Sequence, residues 1–271
     1  MRGFLRQTKL AAPWVGFLLL LGQPAWADGL QVAVSIAPVH SLTAAVMGKV
    51  STPILLMTPW QSEHSAGLKP STLHAIATST PIFRIARGFE AALDHPIDAL
   101  AQGAQIVELA RAPGWTLLAA RSIDEAVAPS SVKREPDLYL WADLHVWLNP
   151  QIAKAMTVEI VRVLSAADPA HAVTYAANGD TTAKRLDDLD ARLAAQLAPI
   201  AGRPFVVSHD AYQYLTSHYQ LNEIGRVAID PERPPGARHL QKLRERIEET
   251  KAVCIFTEPQ IEPRLLASLT Q

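Results

Sequence analysis

Three histidines stand in similar local settings along a chain of 271 residues. His64 lies in SEHSAGLKPS, just after the apolar run Ile54, Leu55, Leu56 and Met57. His145 lies in DLHVWLNP, between the apolar run Leu138 to Trp141 and a helical pattern. His209 closes FVVSH, again with a helical pattern following. Neutral imidazoles suit zinc, which takes nitrogen and oxygen donors and prefers four-coordinate tetrahedral geometry. Glu63, beside His64, or a water supplies the fourth donor. Each ring needs its second nitrogen held by a hydrogen bond that fixes the tautomer. Asp143 and Asp210 are candidates for that task, with loop or helix-cap roles as equal alternatives. Neither H-E-x-x-H nor any close-spaced zinc motif is present. The fold must therefore assemble the site from distant segments. Protonated imidazole cannot ligate a metal, so affinity is expected to fall below about pH 6.

The elements that position these residues alternate. Strand patterns at Val32–Ile36, Pro53–Met57, Ile82–Ile85 and Ile106–Leu109 are interleaved with helical patterns at Val39–Met47, Ser71–Thr78 and Phe89–Leu100. Residues Ala112–Pro136 are irregular. Pro150 closes this unit, and Ile152–Leu164 reads as a helix. Asp168, a candidate N-cap with Pro169 at the first helical position, opens a helical segment reaching Leu197. Its apolar positions Ala183, Leu186, Leu189, Leu193 and Leu197 recur at three- and four-residue steps. About 30 residues of helix span about 45 Å, long enough to lie along two lobes and join them. Alternation then resumes: strands at Phe205–Ser208, Ile224–Ile229 and Val253–Thr257, helices at Tyr212–Tyr219, Ala237–Thr250 and Pro263–Leu269. This order predicts βαβ units and mainly parallel sheets. In such sheets the C-terminal strand ends share one edge, where ligands bind. All three histidines fall at or near strand-to-helix junctions, so they can converge there.

Composition narrows the function. Arg2, Arg6 and Lys9, the apolar stretch Val15–Leu21 and the Ala25-Trp26-Ala27 cleavage pattern predict a secretory signal peptide over residues 1–27. No apolar run of membrane-spanning length follows it. With the leader's three basic residues set aside from the 25 in the chain, 22 basic face 26 acidic side chains. No block of like charge appears, so nucleic-acid binding and adsorption to anionic lipid lack their electrostatic footprint. Cys254 is the one cysteine. Its setting, Val253-Cys254-Ile255-Phe256, predicts a small buried core residue. Trp147, Tyr212 and Tyr214 read as packing aromatics. The other six histidines, within or beside helices, read as surface or helix-packing residues.

SIAPVHSLTAAVMG, SEHSAGLKPS, DLHVWLNP, SHDAYQYL and CIFTEPQ occur in this order. Together they resemble the periplasmic solute-binding proteins of zinc and manganese ABC importers, and most of all the ZnuA-type zinc-uptake branch. The resemblance covers nearly all of the mature chain. It implies an α/β protein of two Rossmann-like lobes with parallel sheets, joined by a long rigid helix, with metal in the cleft between them. The implied organisation is an N-terminal lobe over 28–167, a linking helix over 168–199 and a C-terminal lobe over 200–271. His64, His145 and His209 match the family's three histidine ligands, and Glu63 matches a glutamate that completes the zinc sphere. Manganese-type relatives place a carboxylate where this chain has His209. A membrane permease and its ATPase are the implied partners, and a monomer is expected.

Three departures accompany the match. The chain ends soon after Glu258-Pro259-Gln260, where the family adds a strand, an aspartate-bearing loop and a helix. The C-terminal lobe is therefore expected to be shortened. The partner that Cys254 has in such relatives is absent. Ala126–Pro136 holds no histidine, where zinc-specific members carry a His-rich loop. Alternative readings are binding of manganese or another divalent metal, metal sequestration or adhesion without transport, and a zinc hydrolase with Glu63 as general base. No G-x-S-x-G motif supports the last.

Overall fold

A strand, a helix and a second strand in succession make a parallel pair, because the helix carries the chain back along the sheet. The computed structural model describes residues 29–58, 67–121, 142–228 and 235–258. It begins with β1 (Ala33–Val34), α1 (Ala37–Met47), β2 (Ile54–Leu55), α2 (Pro70–Thr78), β3 (Ile82–Arg84), α3 (Ala91–Leu100) and β4 (Ile106–Glu108). The four strands pair in the order β2-β1-β3-β4, all parallel. Val32 to Val34 and Ile82, Phe83 and Ile85 are essentially solvent-free, as expected for strands covered on both faces.

Two helices complete this lobe and lead out of it. α4 (Pro150–Ala167) buries Met156, Ile160, Val163 and Leu164 against the same core. Pro150 opens α4 at its first position rather than closing the preceding unit. There its missing N–H costs nothing. Asn149 caps the helix, its Oδ1 accepting from the Gln151 N–H at 2.9 Å. A 3-10 turn (Pro169–His171) precedes α5 (Ala172–Leu197). Asp168 does not cap this segment with its side chain. Its Oδ2 instead accepts from Tyr175 Oη at 2.8 Å and faces His171 Nδ1 at 2.7 Å. α5 crosses α4 at Gly179, where a Cβ would stand 2.5 Å from a Val161 methyl, so only glycine permits the approach. The Asn178 amide ties α5 to α1 by donating to the Val46 carbonyl at 2.9 Å.

At 26 residues α5 is about 39 Å long. Asp190, near its C-terminal end, is a junction between elements. Its Oδ1 accepts from Tyr219 Oη and faces His218 Nε2, each at 2.8 Å. Its Oδ2 accepts from Gln151 Nε2 of α4 at 2.7 Å. Burial opposes ionisation of Asp190, but the bonds from Gln151, His218 and Tyr219 outweigh it and hold the carboxyl below its usual range. A depressed carboxyl stabilises the fold above its unfolded pKa. The contribution is complete above about pH 4 and fades as the pH falls further. Asp190→Ala is expected to cost about 1–2 kcal/mol at pH 7, through the three hydrogen bonds lost at a partly buried junction. Urea unfolding of both proteins should show that difference shrinking at pH 3; a gap unchanged with pH would disprove the assignment.

The second lobe holds β5 (Phe205–His209), α6 (Gln213–His218), β6 (Glu223–Ala228), α7 (Ala237–Thr250) and β7 (Cys254–Phe256). Its strands pair in parallel in the order β6-β5-β7. Among the described residues, its separate core has four buried members, Val206, Ile224, Val227 and Leu243. Cys254 is exposed, contrary to the buried position its apolar neighbours predict. Among the described residues β7 lies at the edge of its sheet, and its alternation turns Ile255 toward the α7 side while Cys254 and Phe256 face the other way. The helical pattern at Pro263–Leu269 and the leader over 1–27 lie outside the described residues.

Candidate metal centre

His209 is the last residue of β5, and His145 directly precedes a 3-10 turn (Val146–Leu148) that leads into α4. Both are buried, at 3% and 6% exposure. Their Nε2 atoms face each other at 3.3 Å. Tetrahedral coordination with zinc–nitrogen bonds of about 2.0–2.1 Å places two ligating nitrogens about 3.3–3.4 Å apart. The two rings thus already stand at the spacing of one edge of a zinc tetrahedron. Among the described residues no group of three or more metal-capable side chains converges. Glu63 and His64 lie outside the described residues.

A carboxylate backs each ring. Asp143 Oδ1 lies 2.8 Å from His145 Nδ1 and also accepts the His145 backbone N–H at 2.9 Å. Glu258 Oε1 lies 2.8 Å from His209 Nδ1 and accepts from Ser208 Oγ at 3.1 Å. With both Nδ1 atoms donating to carboxylates, both Nε2 lone pairs point inward. Two acceptors at this distance repel unless a positive charge, a shared proton or a metal ion, lies between them. At metal sites, a carboxylate behind a histidine ring in this way fixes ring orientation and raises ligand basicity. Burial first, and then the Glu258 carboxylate to which it hydrogen-bonds, push the Tyr212 phenol up to about 12. Tyr212 therefore remains a donor to Glu258 at neutral pH.

Asp143 takes the outer role that the sequence allows it. Asp210 does not: its carboxylate pairs with Arg121, whose Nε lies 3.0 Å from Oδ1. Glu258 serves His209 instead, and sequence reasoning missed it. Its position just past β7, on the strand-end edge that carries His209, was the available signal. Phe89 and Trp147 wall the His145 ring at centroid distances of 5.2 and 5.4 Å. Tyr214 packs within the first lobe's core and also bonds through its hydroxyl, which donates to the Asp143 carbonyl at 2.9 Å.

The family model described as "ZnuA: Zinc-uptake complex component A periplasmic" matches residues 32–271. The chain belongs to the ZnuA family. It is a periplasmic zinc-binding component of a zinc-uptake system. The high-affinity zinc uptake system protein ZnuA of Brucella abortus is 35% identical over 264 residues, 88% of this chain and 79% of its own length. The ZnuA of Yersinia pestis is 29% identical over 279 residues, 99% of this chain and 86% of its own. A crystal structure of ZnuA, 23% identical, superposes with a TM-score of 0.74 over 90% of this chain and 87% of that one. That likeness shows the ZnuA fold: two parallel-sheet α/β lobes and a long helix. The chain's homologues are zinc-binding transport components rather than enzymes, and no described helix is long and apolar enough to cross a membrane.

Proposed function

We propose that this ZnuA-family protein captures Zn2+ between lobe 28–167 and lobe 200–271, on His64, His145 and His209, with Glu63 as the fourth donor. The observation that carries the reading is the inward-facing imidazole pair, each ring backed by a carboxylate and 3.3 Å from the other at Nε2. Three nitrogen donors favour zinc over manganese, which prefers oxygen. The protein is exported, loses residues 1–27, and works in the periplasm as a monomer. It transfers zinc as cargo, without covalent chemistry, to a membrane permease driven by an ATPase.

The test is a zinc titration of the mature chain, Asp28–Gln271, with manganese in competition. One tight zinc per chain, undisturbed by excess manganese, is the expected result. A well-folded protein that binds no zinc, or prefers manganese, would overturn the reading. Delivery is read separately. Deleting the gene should impair growth under zinc chelation, and added zinc should restore it.

A further inference from the structure

A short strap of chain, residues 115–121, touches the neighbours of both site histidines. On one side, Ala119 bridges to Ala142 and the Leu118 carbonyl accepts from the Asp143 N–H at 3.0 Å, two residues before His145. On the other, the strap meets the second lobe at three points. The Tyr214 hydroxyl accepts from the Leu118 N–H at 2.9 Å while donating to the Asp143 carbonyl. The Gln213 amide nitrogen, oriented by its acceptors, lies 3.1 Å from Asp143 Oδ2 and 3.2 Å from the Ala119 carbonyl. Arg121 then pairs with Asp210, the residue after His209, and with Glu223 Oε1 of β6 at 3.0 Å.

Arg121, Asp210 and Glu223 are 10%, 7% and 3% exposed as side chains. Arg226 Nε stands 3.6 Å from Asp210 and 3.5 Å from Glu223, so two guanidiniums balance two carboxylates. Withdrawing Arg121 would leave two carboxylates of the second lobe facing one guanidinium, and that imbalance opposes separation. One of its four members belongs to the strap and three to the second lobe.

We propose that the strap is a metal-independent template, with Arg121 and Tyr214 as positioning residues that set the separation of His145 from His209 before zinc arrives. The proposal rests on the zinc reading above. A preset separation removes the ordering cost that binding would otherwise carry. Breaking the strap lets the empty lobes sample wider spacings, and zinc then leaves faster.

The experiment places one spin label on the native, exposed Cys254 and a second on Ser41→Cys in α1, exposed on the first lobe. Distances are measured with and without zinc. Arg121→Met combined with Asp210→Asn removes one charge of each sign and leaves Glu223 and Arg226 as a balanced pair. In the zinc-free wild type the distance distribution should be as narrow as in the loaded form. In the double variant it should broaden, zinc should narrow it again, and release to a chelator should quicken about tenfold, equivalent to about 1.4 kcal/mol. Tyr214→Phe keeps the ring in the core and removes only the hydroxyl strut. It should move both readouts the same way, and it carries the test if the double variant does not fold. A broad distribution in the empty wild type overturns the proposal, as do variants with unchanged distances and release rates. If the wild type binds no zinc, the zinc reading fails, while the zinc-free distances still decide whether the strap is a template.

Discussion

Replacing His145 or His209 with alanine is expected to weaken zinc binding by more than about 100-fold, beyond the 10–100-fold typical of losing an outer-shell partner. Each substitution removes an inward nitrogen donor and does more. His145→Ala leaves Asp143 Oδ1 without the ring that lies 2.8 Å away, and His209→Ala does the same to Glu258. An anionic oxygen in a buried site then faces an unfilled space. The surviving imidazole offers one nitrogen where the pair at 3.3 Å offered two. Competition against a chromophoric chelator measures the loss. Near-native affinity in either variant, with the fold intact, would remove that histidine from the site.

The second large effect concerns stability. Glu90 is fully buried in the first lobe. One carboxylate oxygen accepts from Ser35 Oγ at 2.5 Å and from the Ile85 N–H at 2.7 Å, and the other accepts from the Ala86 N–H at 3.2 Å. Arg84, only 2% exposed, stands 3.6 Å away. Glu90 therefore fastens the loop after β3 and balances a buried guanidinium. Glu90→Ala is expected to cost about 3–5 kcal/mol, the range for breaking a buried ion pair by removing one partner. Denaturant unfolding measures it, and a loss below about 1 kcal/mol would show that Arg84 is neutralised by Asp94 alone. The same loop carries Phe89 against the His145 ring. Any folded Glu90→Ala protein should therefore bind zinc more weakly as well.

The architecture was largely legible because its signals are local. Helical and strand periodicities place nearly every described element within a few residues, and their alternation implies parallel sheets. The strand-end rule then brings His145 and His209 together, as the structure does. What escaped depends on direction. Asp143 and His145 are two residues apart, so their side chains can lean to one side of an extended chain. His209 and Asp210 are adjacent, and adjacent side chains diverge. Asp210 thus meets Arg121, and the ring of His209 finds its partner 49 residues later, at Glu258. Cys254 misleads for a related reason. An apolar run records neighbours in sequence, not which face of an edge strand is covered. Pro150 reads equally as a stop or as a first helical position, and only the Asn149 cap decides.

The described parts of the two lobes differ in how much apolar core each shows. Among the described residues, the first shares a large continuous core with α4 and α5, whereas the second shows its own cluster of four buried apolar side chains. Free energies of local opening follow the density of buried contacts, from near zero at mobile edges up to that of global unfolding. His209 belongs to the second lobe and His145 to the first. A ligand bound only by the closed form suppresses opening in proportion to its concentration over its dissociation constant. Zinc held on both histidines would therefore reduce how often the two lobes open to proteases, and the empty carrier would be the shorter-lived form.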